Sequence, residues 1–316
     1  GAGSNIQIHG GTVHATGGYL GAGIGGGGGT GRKSGDGTVT ISGGTVTAVG
    51  GNYAAGIGGG GGYSFQYASV TGGTGSVTIT GGIVDASSPT DVAYADYKGA
   101  PIGNGGNASG GSVEKTTGIV FENGVGTVCG TVTFNGSYNV PADYSLNIPA
   151  GASLSGSGTL TGGGTFTADL SEDMVSVPTD LYYNGQDRSN DIKTRLSDGL
   201  TQGIVICGQT FTVSGWTVAV SRTDDLHYTA TYTNTDNSTT FQKTITLQKS
   251  GTDLTSEGKV QTYKGDTLTK DFTASDTITV KATPTATGQA PAKAAARLRG
   301  DPTAGQMVVF VGDTQV

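Results

Sequence analysis

Short alternations of apolar and polar residues run through the first half of the chain, and one of them is written three times. Its clearest copy is Val39-Thr-Ile-Ser-Gly-Gly-Thr-Val-Thr-Ala-Val-Gly-Gly51; residues 6–18 (IQIHGGTVHATGG) precede it, and residues 77–89 (VTITGGIVDASSP) are a worn third copy. A second element follows each copy: Ala22-Gly-Ile-Gly-Gly26, then Ala55-Gly-Ile-Gly-Gly59, then Ala100-Pro-Ile-Gly-Asn104. Ile8 and Ile41 are 33 residues apart, and so are Ile24 and Ile57. Val39 and Ile41 alternate with Thr38 and Thr40, and Val46 and Ala48 with Thr45 and Thr47, which is the period of a strand buried on one face. Gly43-Gly44 and Gly50-Gly51 supply tight corners between such strands. The second copy therefore predicts strands at 38–42, 45–49 and 54–57, with an insertion over 58–76 at one corner. One unit of this kind cannot bury its own apolar face, so the copies must stack. The expectation is an all-β chain that opens with a parallel β-helix over residues 1–168, its shorter closing coils running from 117 to 168.

Tyr138 to Gly162, with apolar residues at Leu146, Ile148, Leu154 and Leu160, resembles the closing coils of right-handed, pectin-lyase-like β-helices. The repeats themselves (GGTVTAxGG followed by AGIGGG) resemble a Gly-rich repeat of large surface proteins of Gram-positive gut bacteria. The resemblance implies a right-handed solenoid and a secreted or cell-surface location.

From Leu170 the pattern changes. Residues 174–177, 181–183, 203–213, 216–221, 228–233 and 240–247 read as six strands, several separated by turn signals such as Asn184-Gly185, Ser214-Gly215 and Asp236-Asn237. That spacing predicts a β-sandwich over 169–250, with Trp216 as its core aromatic. Asp225 to Asp236 and Leu181-Tyr-Tyr-Asn-Gly185 resemble segments of bacterial Ig-like surface modules. Residues 251–316, with strands expected at 259–263, 277–283 and 307–311, read as a second Ig-like module, truncated by its 66 residues. Residues 289–299 (QAPAKAAARLR) are the one stretch with helical content.

Composition sharpens this division. Of 60 glycines, 48 fall in residues 1–170, so the chain divides near residue 170. The net charge of −7 is spread thinly and forms no basic stripe, which argues against nucleic acid as a partner. No run of 18 apolar residues exists to insert in a membrane. Without an initiating Met, signal peptide or wall-sorting tail, the chain reads as a piece of a longer secreted protein attached to its cell, if at all, through other regions. Cys129 and Cys207 lie in different compositional regions and read as two buried, unpaired thiols.

Candidate chemistry is sparse. Residues 1–170 hold four bases (Arg32, Lys33, Lys98, Lys115) and eight acids (Asp36, Asp85, Asp91, Asp96, Glu114, Glu122, Asp143, Asp169), with no acid pair recurring from coil to coil. Asp85, Asp91 and Asp96 come nearest to a metal cluster, and Ca²⁺ is the ion such a cluster would hold; no other cofactor is expected. His9 and His14 stand where the second copy has Ser42 and Thr47, so both read as solvated. The Gly runs 25–29 and 58–62 lack the GK[ST] of a phosphate loop. Outward threonine pairs (Thr38/Thr40, Thr45/Thr47, Thr78/Thr80, Thr131/Thr133) form no ice-binding array, because the insertions break the regular spacing. The aromatics carry the positive hint: Tyr63, Phe65 and Tyr67 alternate in the second insertion, and Tyr19 and Tyr53 precede the first two AGIG elements. Such rings stack on sugars with little need for charge.

These observations favour a non-catalytic extracellular adhesin segment that binds glycans or host surface ligands, with the Ig-like modules as spacers. A carbohydrate-active enzyme, lyase or glycoside hydrolase, is the first alternative, suggested by analogy with the fold. A structural stalk that self-associates into fibres is the second.

Overall fold

A computed structural model describes residues 4–30, 33–62, 70–90, 97–181 and 187–248, and strand backbone within 250–315. The chain forms two compact units, residues 1–175 with 198–216, and residues 176–197 with 217–316.

In the first unit each repeat makes one coil of three strands. The first coil has β1 (Ser4–Ile8), β2 (Thr12–Thr16) and β3 (Ile24–Gly25); the second has β4 (Gly37–Ile41), β5 (Thr45–Val49) and β6 (Ile57–Gly58). The third has β7 (Gly75–Ile79), β8 (Ile83–Ser87) and β9 (Ile102–Gly103), and β10 (Ser112–Lys115) and β11 (Gly118–Glu122) open a fourth. All pairings among these coils are parallel, and like sits on like: Ile8 on Ile41 on Ile79, Ala15 on Ala48 on Ala86, Ile24 on Ile57 on Ile102. The expected alternation holds, with Val39, Ile41, Val46 and Ala48 buried.

Glycine does more here than turn corners. A Cβ on Gly59 would stand 1.9 Å from the Gly73 carbonyl oxygen, and one on Gly37 or Gly75 would strike the carbonyl of Gly58 or Gly103 at 2.0 and 1.8 Å. The sheet holding β4 and β7 thus meets the β3–β6–β9 sheet backbone to backbone. Hydrogen bonds run straight through this corner, from Gly35 N–H to Gly27 O (2.7 Å), Gly60 N–H to Gly35 O (3.0 Å), Gly73 N–H to Gly60 O (2.8 Å) and Gly105 N–H to Gly73 O (3.0 Å). The runs at 25–29 and 58–62 are therefore a backbone-only packing layer.

After β11 the solenoid does not simply continue. Asn123 and Gly124, both at positive φ (50° and 82°), turn the chain back into β12 (Val125–Cys129), which pairs antiparallel with β11. The later strands are β13 (Thr131–Thr133), β14 (Ser137–Asn139), β15 (Ser145–Ile148), β16 (Ser153–Ser155), β17 (Thr159–Thr161) and β18 (Thr165–Ala168). They again pair in parallel, β12–β15–β18, β13–β16 and β14–β17. One seven-stranded sheet, in the order β18-β15-β12-β11-β8-β5-β2, runs through both halves.

The two halves bury opposite faces of that sheet. Val46, Ala48, Val84, Ala86 and Val120 enter one core, whereas their neighbours Ile83, Ile119 and Phe121 enter a second core with Val128, Leu146, Ile148 and Phe166. A coil's hand depends on strand direction and on the side where the core lies. Both invert at the β11–β12 hairpin, so the hand is unchanged. Coils also shrink there, from the 33 residues that separate Ile8 and Ile41 to the 20 that separate Gly126 from Leu146 and Leu146 from Phe166.

The sequence reading placed residues 203–213 in a sandwich. They form instead a hairpin, β19 (Ile204–Ile206) and β20 (Gln209–Phe211), on the end of the second core. Phe211 is fully buried against Phe166 (centroids 5.3 Å apart), and Thr212 exchanges backbone hydrogen bonds with Phe166 and Ala168. Trp216 is not a sandwich core residue either: it is half-buried, and its indole N–H donates to Asp169 at 2.8 Å.

In the second unit, β21 (Trp216–Arg222), β22 (His227–Asn234) and β23 (Thr240–Thr246) form a three-stranded sheet near the positions expected. Tyr228 and Tyr232 are buried, and Tyr232 stacks on Phe241 at 4.9 Å. A helix absent from the sequence expectations, α1 (Ser189–Gln202), lies in this unit through Ser197; Asp187 caps it by accepting from the Ser189 N–H and hydroxyl, and it buries Ile192 and Leu196. Backbone strands follow: β24 (Ser250–Leu254), β25 (Val260–Lys264) and β26 (Thr267–Phe272) in one antiparallel sheet, then β27 (Ala296–Asp301), β28 (Gln306–Val311) and β29 (Thr314–Gln315) in another. The helical tendency read into 289–299 ends in strand at 296–299. The strand expected at 277–283 and the turn at Asn184-Gly185 lie outside the described residues.

Candidate functional site

Because the core changes sides, the seven-stranded sheet carries a step. On one face β2 and β5 present Thr12, His14, Thr16, Thr45 and Thr47 outward, and at β8 this polar floor ends against the second half of the solenoid. One cross-strand row runs His14, Thr47, Asp85, Phe121, so it passes from solvent to core within four strands. At about 4.8 Å per strand, His14 and Asp85 are about 10 Å apart along the floor.

Asp85 stands at the foot of the step. Tyr144, from the turn that enters β15, donates its hydroxyl to the Asp85 carboxylate at 3.3 and 3.4 Å, and the nearby Tyr138 hydroxyl from β14 also favours its charged form. Phe121 supports both rings: Tyr138 stacks on it with centroids 5.5 Å apart, and Tyr144 leans on it at 5.6 Å. Burial pushes the Asp85 carboxyl above the ordinary carboxylate range, and the two hydroxyls pull it only part of the way back. Burial and the neighbouring Asp85 charge hold the Tyr138 and Tyr144 phenols up as well, so both remain donors.

The residues singled out from sequence fare unequally. Asp85 sits with tyrosines, while its expected companions Asp91 and Asp96 lie outside the described residues; among the described residues no group of three metal-ligating side chains occurs. Tyr63, Phe65 and Tyr67 also lie outside them. Tyr19 is an exposed ring (66%) on the first coil. Tyr53 must be withdrawn as a sugar-stacking residue: it is 4% exposed, has φ 62°, and meets Tyr97 edge to face at 6.5 Å. Its counterpart one coil back is Leu20 rather than Tyr19, since Leu20 O and Tyr53 O accept from Gly61 and Gly106 N–H respectively. His14 is exposed, and His9 shares a 2.9 Å hydrogen bond between its Nδ1 and the Ser42 hydroxyl.

Sequence reasoning missed Tyr138 and Tyr144, which lie more than 50 residues from Asp85 and reach it only through the reversal after β11. A separate cleft of about 490 Å³ lies beneath the β19–β20 hairpin, with Leu154, Met174 and Ile206 among its apolar walls and Asp173 on its edge. Cys207 borders it, and Cys129 flanks the first core; both are free thiols whose burial pushes them up.

No curated protein and no solved structure matches the chain. A family model described as a beta helix repeat matches residues 6–28 and 39–61, the first two coils. The repeated part of the chain is thus a beta-helix, as its sequence periodicity predicts.

Proposed function

We propose that the chain is a non-catalytic, extracellular surface segment that binds carbohydrate at the step on its β-helix. The observation that carries this reading is the combination at one ledge: a floor of threonine hydroxyls and one imidazole, bounded by two tyrosines and a half-buried carboxylate. Hydroxyl-rich floors offer donors and acceptors to sugar hydroxyls, and aromatic walls take the apolar faces of sugar rings. The likeness of the Gly-rich repeat to surface proteins of Gram-positive gut bacteria supports the location. The strands from residue 217 onward would then serve as an Ig-like spacer.

A glycan array probed with the intact chain and with Thr47→Arg tests this. Thr47 is on the floor beside Asp85 and belongs to neither core, so arginine there should fill the ledge and leave the fold intact. Binding to at least one glycan class, reduced tenfold or more by Thr47→Arg, is the expected result. Silence across the array, or equal binding by the variant, overturns the proposal.

A further inference from the structure

The ionic partners of the described carboxylates show what is unusual about Asp85. Asp36 pairs with Lys33, Glu122 with Lys115, Asp191 with Arg188, Asp180 with Arg195, Asp225 with Arg222 and Asp224 with His227. Five of these six carboxylates are well exposed, where a carboxylate needs a partner least. Asp85 is half-buried, yet among the described residues no cation pairs with it, and only phenol hydroxyls donate to it. A partly desolvated carboxylate without a counter-charge is costly to keep. The charge of Asp143, which also acts on Tyr144, is negative as well. Beside the carboxylate stand Tyr138 and Tyr144, both braced on Phe121, with the Tyr144 hydroxyl directed at it, and a phenol oxygen can accept from an ammonium that the carboxylate holds.

We infer that the Asp85 ledge selects a cationic sugar, binding the ammonium group of an amino sugar at the Asp85 carboxylate beside the tyrosine hydroxyls. Thr47 and His14, next along the same row, lie where the ring hydroxyls or the following sugar unit would rest. This inference rests on the carbohydrate reading above and narrows it. A neutral sugar brings no charge to the carboxylate, and an N-acetyl group replaces the ammonium with a bulkier neutral amide that pays nothing toward desolvating Asp85.

The test compares a glucosamine tetramer, its fully N-acetylated counterpart and the simple diamine putrescine by calorimetry at about pH 6, with the intact chain and with Asp85→Asn. Asparagine keeps an oxygen for the tyrosine hydroxyls, and circular dichroism checks that the variant folds. The expected result is at least tenfold tighter binding of the glucosamine tetramer than of either other ligand, with the preference lost in Asp85→Asn. Equal binding of the two tetramers, or a preference that survives in Asp85→Asn, overturns the inference and leaves the carbohydrate reading standing. Putrescine binding as tightly as the glucosamine tetramer also overturns it, because the ledge would then read a bare ammonium and not a sugar. If neither tetramer binds and the glycan array is silent as well, both readings fall.

Discussion

Replacing Gly59 with alanine should cost the solenoid far more than one methyl group suggests. The added Cβ would stand 1.9 Å from the Gly73 oxygen, 2.5 Å from its carbonyl carbon and 2.8 Å from Gly105 N, whereas ordinary contact begins near 3.4 Å. All three atoms belong to backbone held in place by hydrogen bonds. Moving Gly73 aside strains both its donation to Gly60 O and its acceptance from Gly105 N–H. Two such bonds are worth about 1 kcal/mol each, and overpacking a dense interior adds about 1–3 kcal/mol. The sum is about 3–5 kcal/mol, or roughly 6–20 °C in Tm for a unit of this size. Gly59 does not have positive φ, so the penalty is steric and not conformational. Gly10→Ala is the matched control, because its Cβ meets nothing within 4 Å and its φ is ordinary. It should be neutral, or stabilising by up to about 1 kcal/mol through the unfolded state. Thermal unfolding of both variants checks the argument. A Gly59→Ala protein that melts within about 2 °C of its parent would refute the backbone-only corner.

Phe211→Ala should cost about 3–5 kcal/mol in denaturant unfolding of the first unit, because it removes a fully buried ring from the capped end of the second core; a loss under about 1 kcal/mol would mean that the hairpin does not cap it. Asp36 and Asp85 should respond to acid with opposite signs. The Thr74 backbone N–H, ahead of Lys33, holds the Asp36 carboxyl below its ordinary value, so its contribution is present above the unfolded pKa and fades as pH falls through the folded one. Asp36→Asn should therefore be destabilised relative to the parent at neutral pH, and the gap should close in acid. Asp85 is raised by burial, so the parent loses stability as pH rises from the unfolded pKa through the folded one, and Asp85→Asn should compare more favourably with it at pH 7 than at pH 3. Stability curves against pH for both variants decide, and parallel curves would contradict the assignments. Two thiols should titrate per chain after denaturation without reductant, and native labelling should be slow because both are partly buried with raised pKa values.

The repeats were fully legible. Their alternation, their glycine corners and their register of 33 residues reappear as parallel ladders with identical or similar residues stacked. The reversal is legible too: Asn123-Gly124 between Ile119-Val-Phe121 and Val125 to Val128 is the strongest short-range hairpin signal a sequence can carry. A solenoid wound straight on past it would keep its core on one side of the sheet, whereas the hairpin moves it to the other. The helix over 189–202 shows Ile192, Leu196 and Leu200 at four-residue spacing behind Asp187, but Gly199 and the many polar residues weaken its helical signal. The hairpin at 204–211 has ordinary strand character, and nothing local says which core it closes. The company that Asp85 keeps is not local. Its partners Tyr138 and Tyr144 are neighbours only after the chain has turned back and wound a further coil, and no spacing rule reaches that far.

The most direct test of the account is a glycan titration of protein carrying ¹³C-labelled tyrosine rings, followed by NMR. The Tyr138 and Tyr144 signals, assigned with Tyr138→Phe and Tyr144→Phe, should shift in step with saturation, while the buried Tyr228 and Tyr232 signals stay fixed. If glycan binds while Tyr138 and Tyr144 remain unmoved, the sugar sits elsewhere on the chain and the step is not its site.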